Sequence, residues 1–144
     1  MKKCILLTVV CLLSVLLVSC AAPYPFMHGE PDIDSIKIDI VNIETEMGYL
    51  YRPYNEEDIS VIKRIENDKI EEFLSDFKKI GCHQPILGGR IDSISGEAIR
   101  ITYENGDIEL ITNYGTATVK NGEISNKTIT FDSEDFSELI DKYS

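Results

Sequence analysis

Residues 99–110 read IRITYENGDIEL, a run in which apolar and polar side chains alternate on both sides of an Asn-Gly pair. The apolar members are Ile99, Ile101, Tyr103, Ile108 and Leu110. Asn105-Gly106 favours a two-residue type I′ turn, because both residue types tolerate a positive φ. Such a turn sets Tyr103 opposite Ile108 and Ile101 opposite Leu110, so all four side chains fall on one face. The run therefore predicts a β-hairpin with one apolar side.

The chain after this hairpin carries two further strand patterns. Asn121-Gly122 repeats the turn and pairs Val119 with Ile124. Residues 128–131 follow with an apolar residue at every second position, which predicts a last short strand. Together with the first hairpin, these patterns predict an antiparallel meander.

Two more strands are predicted before the hairpin. Ser35 begins a strict alternation that puts Ile36, Ile38 and Ile40 on one face and runs to about residue 43. Residues 59–65 fit either one helical face or a strand, and their β-branched content favours a strand. Beyond Cys20 the chain holds twenty isoleucines and five leucines, a ratio that also favours sheet over helix.

Two helices are predicted from capping signals followed by apolar stripes. Asp68, with Glu71 three residues on, predicts the start of the first helix, and Gly81 predicts its end. Asp132, with Asp135 at the third position, predicts the start of a C-terminal helix. The two apolar stripes are Ile70, Phe73, Leu74 and Phe77, and Phe136, Leu139, Ile140 and Tyr143.

These elements predict an α+β fold. Both helices are apolar on one side only, and the strands of the meander are half polar. A two-layer sandwich buries every apolar stripe, with two amphipathic helices on one face of an antiparallel sheet. The sequence thus predicts a single globular domain over residues 35–144.

The first twenty residues resemble the signal peptide of a bacterial lipoprotein. Lys2 and Lys3 precede an apolar stretch at 4–18, which is shorter than the roughly 20 residues that span a bilayer. The stretch ends at Leu17-Val18-Ser19-Cys20, which matches a lipobox. The alternative is an ordinary signal peptide or an uncleaved anchor with a chance cysteine.

The resemblance implies that a signal peptide, residues 1–19, is cut off between Ser19 and Cys20. Cys20 would then carry a diacylglyceryl thioether and anchor the chain to the outer face of the cell membrane. Two acyl chains anchor stably, whereas one binds marginally. Ala21 is not the Asp that typically retains lipoproteins in the inner membrane, so an outer-membrane location is allowed if the host has two membranes.

Residues 20–34 predict a flexible, lipid-anchored tether, because they contain three prolines and a glycine with no periodic apolar pattern. Tyr24, Phe26 and Met27 are unusual in a spacer. They either lie at the lipid interface or fold back on the domain, and the first is favoured.

The charge of the chain excludes one class of partner. Loss of residues 1–19 removes Lys2 and Lys3, so 12 of 14 basic side chains remain beside 25 acidic ones, for a net charge of −13. A surface that negative repels phosphate backbones, so nucleic acid is not an expected partner.

Few residues suggest catalysis or metal binding. Cys82-His83 is a thiol beside an imidazole, but adjacent side chains on an extended chain point apart, so a buried thiol is predicted. Cys82 is also the single thiol left once Cys20 is lipidated, so no intramolecular disulfide is expected. The acidic runs at 56–58 and 132–135 lack a calcium-loop pattern, and no metal or cofactor is expected.

A candidate binding surface is formed by Tyr49, Tyr51, Arg52 and Tyr54. Tyr and Arg are favoured in binding hot spots, although these rings could instead cover one end of the sheet or continue the first strand as a hairpin. The neighbouring loop at 82–96 is long enough to take part. The sequence therefore predicts a non-enzymatic binding or interaction module for an unknown protein or small ligand. The alternatives are a small hydrolase using carboxylates and a structural spacer without a ligand.

The mature domain also resembles the small Ile/Lys/Glu-rich lipoproteins of low-GC Gram-positive bacteria. The shared features are a helix, a four-strand meander and a final helix. The resemblance is limited to composition and the order of elements, and it assigns no functional residue to this chain.

Overall fold

The computed structural model describes residues 22–48, 53–85 and 89–144. Six strands form one antiparallel sheet: β1 Ile36–Met47, β2 Ile59–Arg64, β3 Ile94–Tyr103, β4 Ile108–Ile111, β5 Thr116–Lys120 and β6 Glu123–Lys127. The helices are α1 Ile70–Ile80 and α2 Ser133–Tyr143. The spatial order of the strands is β2-β1-β3-β4-β5-β6. The predicted α+β class is confirmed.

The register of the β3–β4 hairpin differs from the prediction. Ile101 lies opposite Glu109, and Arg100 lies opposite Leu110. The loop has three residues rather than two, because Tyr103 N donates to Asp107 O at 2.9 Å and Gly106, at φ +85°, donates to Tyr103 O. A type I turn followed by a left-handed glycine adds one residue to the loop. Relative to β3, each side chain of β4 therefore lies on the sheet face opposite to the one predicted. The predicted register was therefore wrong.

The second hairpin follows its prediction. Asn121 and Gly122 have φ values of 52° and 81°, as a type I′ turn requires. Val119 pairs with Ile124, and Lys120 pairs with Glu123. Residues 128–131 form no strand of the sheet, and Thr130 makes an isolated bridge to His83.

The helices begin and end close to their predicted positions. Asp68 lies in a short 3₁₀ turn, Asn67–Lys69, before α1 and is not its N-cap, so that cap prediction was wrong. Gly81 has a positive φ and ends α1, as predicted. Asp132 caps α2, and its side chain accepts from the backbone N–H groups of Glu134 and Asp135.

Apolar side chains are buried on both faces of the sheet. One cluster joins buried residues of both helices to Ile38, Ile40, Ile99 and Ile101. The second cluster lies on the opposite face and includes Val41, Ile43, Met47, Ile94 and Leu110. No helix within the described residues is long and apolar enough to cross a membrane.

The N-terminal segment, residues 22–29, packs on the first cluster. The side chains of Tyr24 and Phe26 are 6% and 9% exposed. Their predicted contact with the lipid interface was therefore wrong, because both rings are buried in the domain. The described chain is held against the domain from Ala22 rather than lying free as a tether.

Candidate functional site: a polar groove beside the N-terminal segment

The N-terminal segment is fixed at both of its ends. Ala22 exchanges two backbone hydrogen bonds with Cys82, of 3.1 and 2.9 Å. At the other end, His28 Nε2 lies 2.8 Å from Asp107 Oδ2. Between them, the Tyr24 ring lies 5.5 Å from the Phe77 ring, measured between centroids. The segment thus runs from the loop after α1 to the β3–β4 turn.

A buried carboxylate, Glu109, lies beneath this segment. Glu109 is 1% exposed and accepts the hydroxyl hydrogens of Tyr24 at 2.6 Å and of Tyr103 at 2.7 Å. The Met27 amide donates to the same carboxylate at 3.2 Å. Burial and the nearby carboxylate raise the pKa of both tyrosines. The phenols therefore keep their protons at neutral pH and satisfy the carboxylate.

A groove of about 900 Å³ opens beside Glu109. Residues 24–27 form one wall, and residues 84–85 and 89–90 contribute to the lining. Polar side chains of β5 and β6 also line it, namely Thr116, Thr118, Lys120, Ser125 and Lys127. The pairings Thr116–Lys127 and Thr118–Ser125 place these residues on one sheet face. The groove therefore combines hydroxyl groups with cationic side chains.

The charge of the groove differs from that of the chain. Among its described lining residues, Lys120, Lys127 and Arg90 are basic, and Glu109 alone is acidic. Neither lysine makes a salt bridge within the described ranges. Exposed Glu123 lies opposite Lys120 on the same sheet face and offsets part of this charge. In a chain of net charge −11, the remaining local excess of basic side chains favours an anionic ligand.

A second buried carboxylate lies on the other face of the sheet. Asp39 is 1% exposed and accepts hydrogen bonds from Arg64 Nε at 2.7 Å and from Arg100 Nη2 at 2.8 Å. Arg100 also bonds Glu56. Burial raises the pKa of Asp39, but the hydrogen bonds from Arg64 and Arg100 outweigh it, so the pKa lies below its ordinary value. These groups satisfy one another and form a structural ion cluster.

The structure describes one of the four residues of the predicted binding surface. Tyr54 is half-buried, donates its hydroxyl hydrogen to Glu56 and packs against the second apolar cluster. Burial and Glu56 raise its pKa to about 12. Tyr54 thus packs on the domain through the second apolar cluster. Tyr49, Tyr51, Arg52 and the predicted lipidation residue Cys20 lie outside the described residues.

Cys82 is a free thiol and is 1% exposed, as predicted. Burial raises its pKa, which opposes formation of the thiolate. His83 is exposed and bridges Thr130 through the backbone. No group of three or more His, Cys, Asp or Glu side chains that could hold a metal occurs in the described part of the chain.

The groove was not predicted from the sequence. Tyr24 and Glu109 lie 85 residues apart in the sequence, and no sequence pattern around either residue indicates their contact. The one signal was the presence of Tyr24, Phe26 and Met27 in a proline-rich segment. No family model, curated protein or solved structure matches the chain.

Proposed function

We propose that the chain is a lipid-anchored envelope protein whose domain acts as a non-enzymatic binding module. The lipobox Leu17-Val18-Ser19-Cys20 supports the anchor, with cleavage after Ser19 and a diacylglyceryl group on Cys20. The protein then faces outward from the cell membrane, or from the outer membrane if the host has one.

The groove is the proposed ligand site, and its local charge is the observation that carries the proposal. Lys120 and Lys127 are exposed and face the same side of the sheet as three hydroxyl side chains. A volume of about 900 Å³ lies within the range of small-molecule sites. We propose a polar ligand with carboxylate or phosphate groups, which ammonium and hydroxyl donors recognise together.

An NMR titration of the ¹⁵N-labelled, lipidated protein in detergent micelles tests this site. Glucuronate and glycerol 3-phosphate serve as anionic probes, with glucose and glycerol as neutral counterparts. The amides of β5 and β6 should shift with the anionic probes and not with the neutral ones. A Lys120→Gln/Lys127→Gln variant should abolish the shifts, whereas Lys37→Gln, a change to an exposed lysine on β1, should leave them in place. Shifts that survive in the double variant, or none in the wild type, would count against the groove.

Tyr49, Tyr51 and Arg52 remain a proposed second contact surface. Tyr54 does not serve as an independent probe of it, because its ring supports the domain. The hydrolase alternative requires two inward carboxylates in one pocket, and Glu109 is the one carboxylate among the described lining residues of the groove. No observation favours that alternative or the spacer.

For the architecture we infer a two-layer sandwich with two amphipathic helices on one sheet face. Burial of Phe73 and Phe77 from α1 and Phe136 and Leu139 from α2 in one cluster supports it. The contact of Lys142 Nζ with Asp76 Oδ2, at 2.6 Å, supports a side-by-side placement of the helices.

A further inference from the structure

The short connection between the fold and the lipid attachment site limits where the domain can lie. Ala22 is hydrogen-bonded to Cys82 and is two residues from Cys20. Consecutive Cα atoms are about 3.8 Å apart, so the two Cα atoms lie within about 7.6 Å of each other. A free tether over residues 20–34 would instead reach about 50 Å.

The N-terminal segment, residues 22–29, cannot extend away from the domain without losing buried contacts. Tyr24 and Phe26 are buried among core aromatic rings, and the Tyr24 hydroxyl bonds the buried Glu109. Lengthening the connection beyond Ala22 would pull both rings out of the core. Ala22 is therefore a fixed position on the surface of the domain, two residues from the proposed lipid on Cys20.

The surface at this position lacks the charge found elsewhere. The described residues 22–27 and 81–85, the two stretches joined at Ala22 and Cys82, contain no Asp, Glu, Lys or Arg. Ala22, Pro23, Pro25, Gln84 and Pro85 are exposed. The mature chain carries a net charge of −13, so an anionic bilayer repels most of the domain but not this surface.

We infer that the domain contacts the lipid bilayer through one surface. This proximal surface comprises residues 22–25 and 83–85. This inference depends on the proposed lipid on Cys20. Pro25, Gln84 and Pro85 also line the groove, so the groove opens next to the membrane. A ligand would then be bound at the membrane surface and not at a distance from it.

Fluorescence quenching in vesicles tests the inference. The lipidated protein is reconstituted into phosphatidylcholine–phosphatidylglycerol vesicles that contain a headgroup nitroxide lipid. A fluorophore is attached at Gln84→Cys, on the proximal surface, or at Asn105→Cys. Asn105 is exposed in the β3–β4 turn and lies beyond the far end of β4, a strand of about 14 Å. Cys82 is buried and Cys20 is alkylated, so each variant offers one reactive thiol.

The label at residue 84 should be quenched at least threefold more strongly than the label at residue 105. Insertion of ten Gly/Ser residues between Ala21 and Ala22 should remove the difference while leaving flotation with vesicles unchanged. Equal quenching at the two sites in a protein that floats with vesicles would overturn the proximal surface and leave the anchor intact. Failure of the wild-type protein to float would overturn the anchor and this inference with it.

Discussion

Asp39 and Arg100 lie opposite each other across the β1–β3 ladder, and their side chains form a salt bridge that is nearly closed to solvent. The distance from Arg100 Nη2 to Asp39 Oδ2 is 2.8 Å, and the two side chains are 7% and 1% exposed. Arg64 and Glu56 complete the cluster at its solvent side. The pair joins β1 to β3, the strands that make up the centre of the sheet together with β4 and β5.

Replacement of Asp39 with Asn should lower the free energy of unfolding by about 3–5 kcal/mol, because the buried Arg100 would lose its buried counter-charge and keep only its salt bridge to the exposed Glu56. Urea denaturation measures the loss. Glu56→Gln is the matched control, since Glu56 is 62% exposed and its salt bridge should contribute at most about 1 kcal/mol. Equal losses in the two variants would contradict the structural role of Asp39.

The Asp39 carboxylate also predicts how the free energy of unfolding decreases at acid pH. The folded-state pKa of Asp39 lies below its ordinary value, so its contribution is fully present above about pH 4. The contribution is lost as the pH falls through the folded pKa. The difference in unfolding free energy between wild type and Asp39→Asn should therefore be constant from pH 7 to 5 and shrink below pH 4. A difference that does not change with pH would contradict this assignment.

Tyr24→Phe should destabilise the protein by about 1.5–3 kcal/mol, because the buried Glu109 would lose one of its three donors. Hydrogen exchange should also speed up at the Met27 amide. Tyr114→Phe is the control, since that hydroxyl bonds the Ser95 backbone at an exposed position. Its removal should lower the free energy of unfolding by less than Tyr24→Phe does. Similar losses in both variants would mean that Glu109 does not depend on Tyr24.

The Asn121-Gly122 turn predicts a contrast between two substitutions at one position. Asn121→Ala should cost about 1–2 kcal/mol, because alanine is strained at φ 52°. Asn121→Gly should be close to neutral in thermal unfolding, since glycine adopts that conformation freely. A larger loss for glycine than for alanine would argue against a type I′ turn.

The two Asn-Gly pairs show what the sequence could and could not predict. Alternation located β1, β3 and β4 correctly, because it depends on side-chain burial along one segment, but residues 128–131 alternate without forming a strand of the sheet. The register of β3 against β4 depended on whether the Asn105-Gly106 loop has two residues or three, and this dipeptide suits both. The extra loop residue places Glu109 on the sheet face of Ile101 and Leu110 on the face of Arg100.

The candidate groove was harder to predict, because it depends on contacts between distant segments. Proline content indicated that residues 20–34 have no regular structure, which is largely correct for the described part. Absence of regular structure does not mean absence of packing, and Tyr24 fills a site built by Phe77 and Phe131. Those two residues come from α1 and from the segment before α2, and no local pattern connects them to Tyr24.

We propose that a lipid on Cys20 holds this domain at the membrane surface. The most direct measurement is the intact mass of the protein extracted from bacterial membranes, with Cys20→Ser as the comparison. The wild-type chain should begin at Cys20 and carry a diacylglyceryl group, and the Cys20→Ser chain should carry no lipid. A wild-type mass that corresponds to a chain without lipid, whether it begins at Met1 or at another cleavage site, would contradict it.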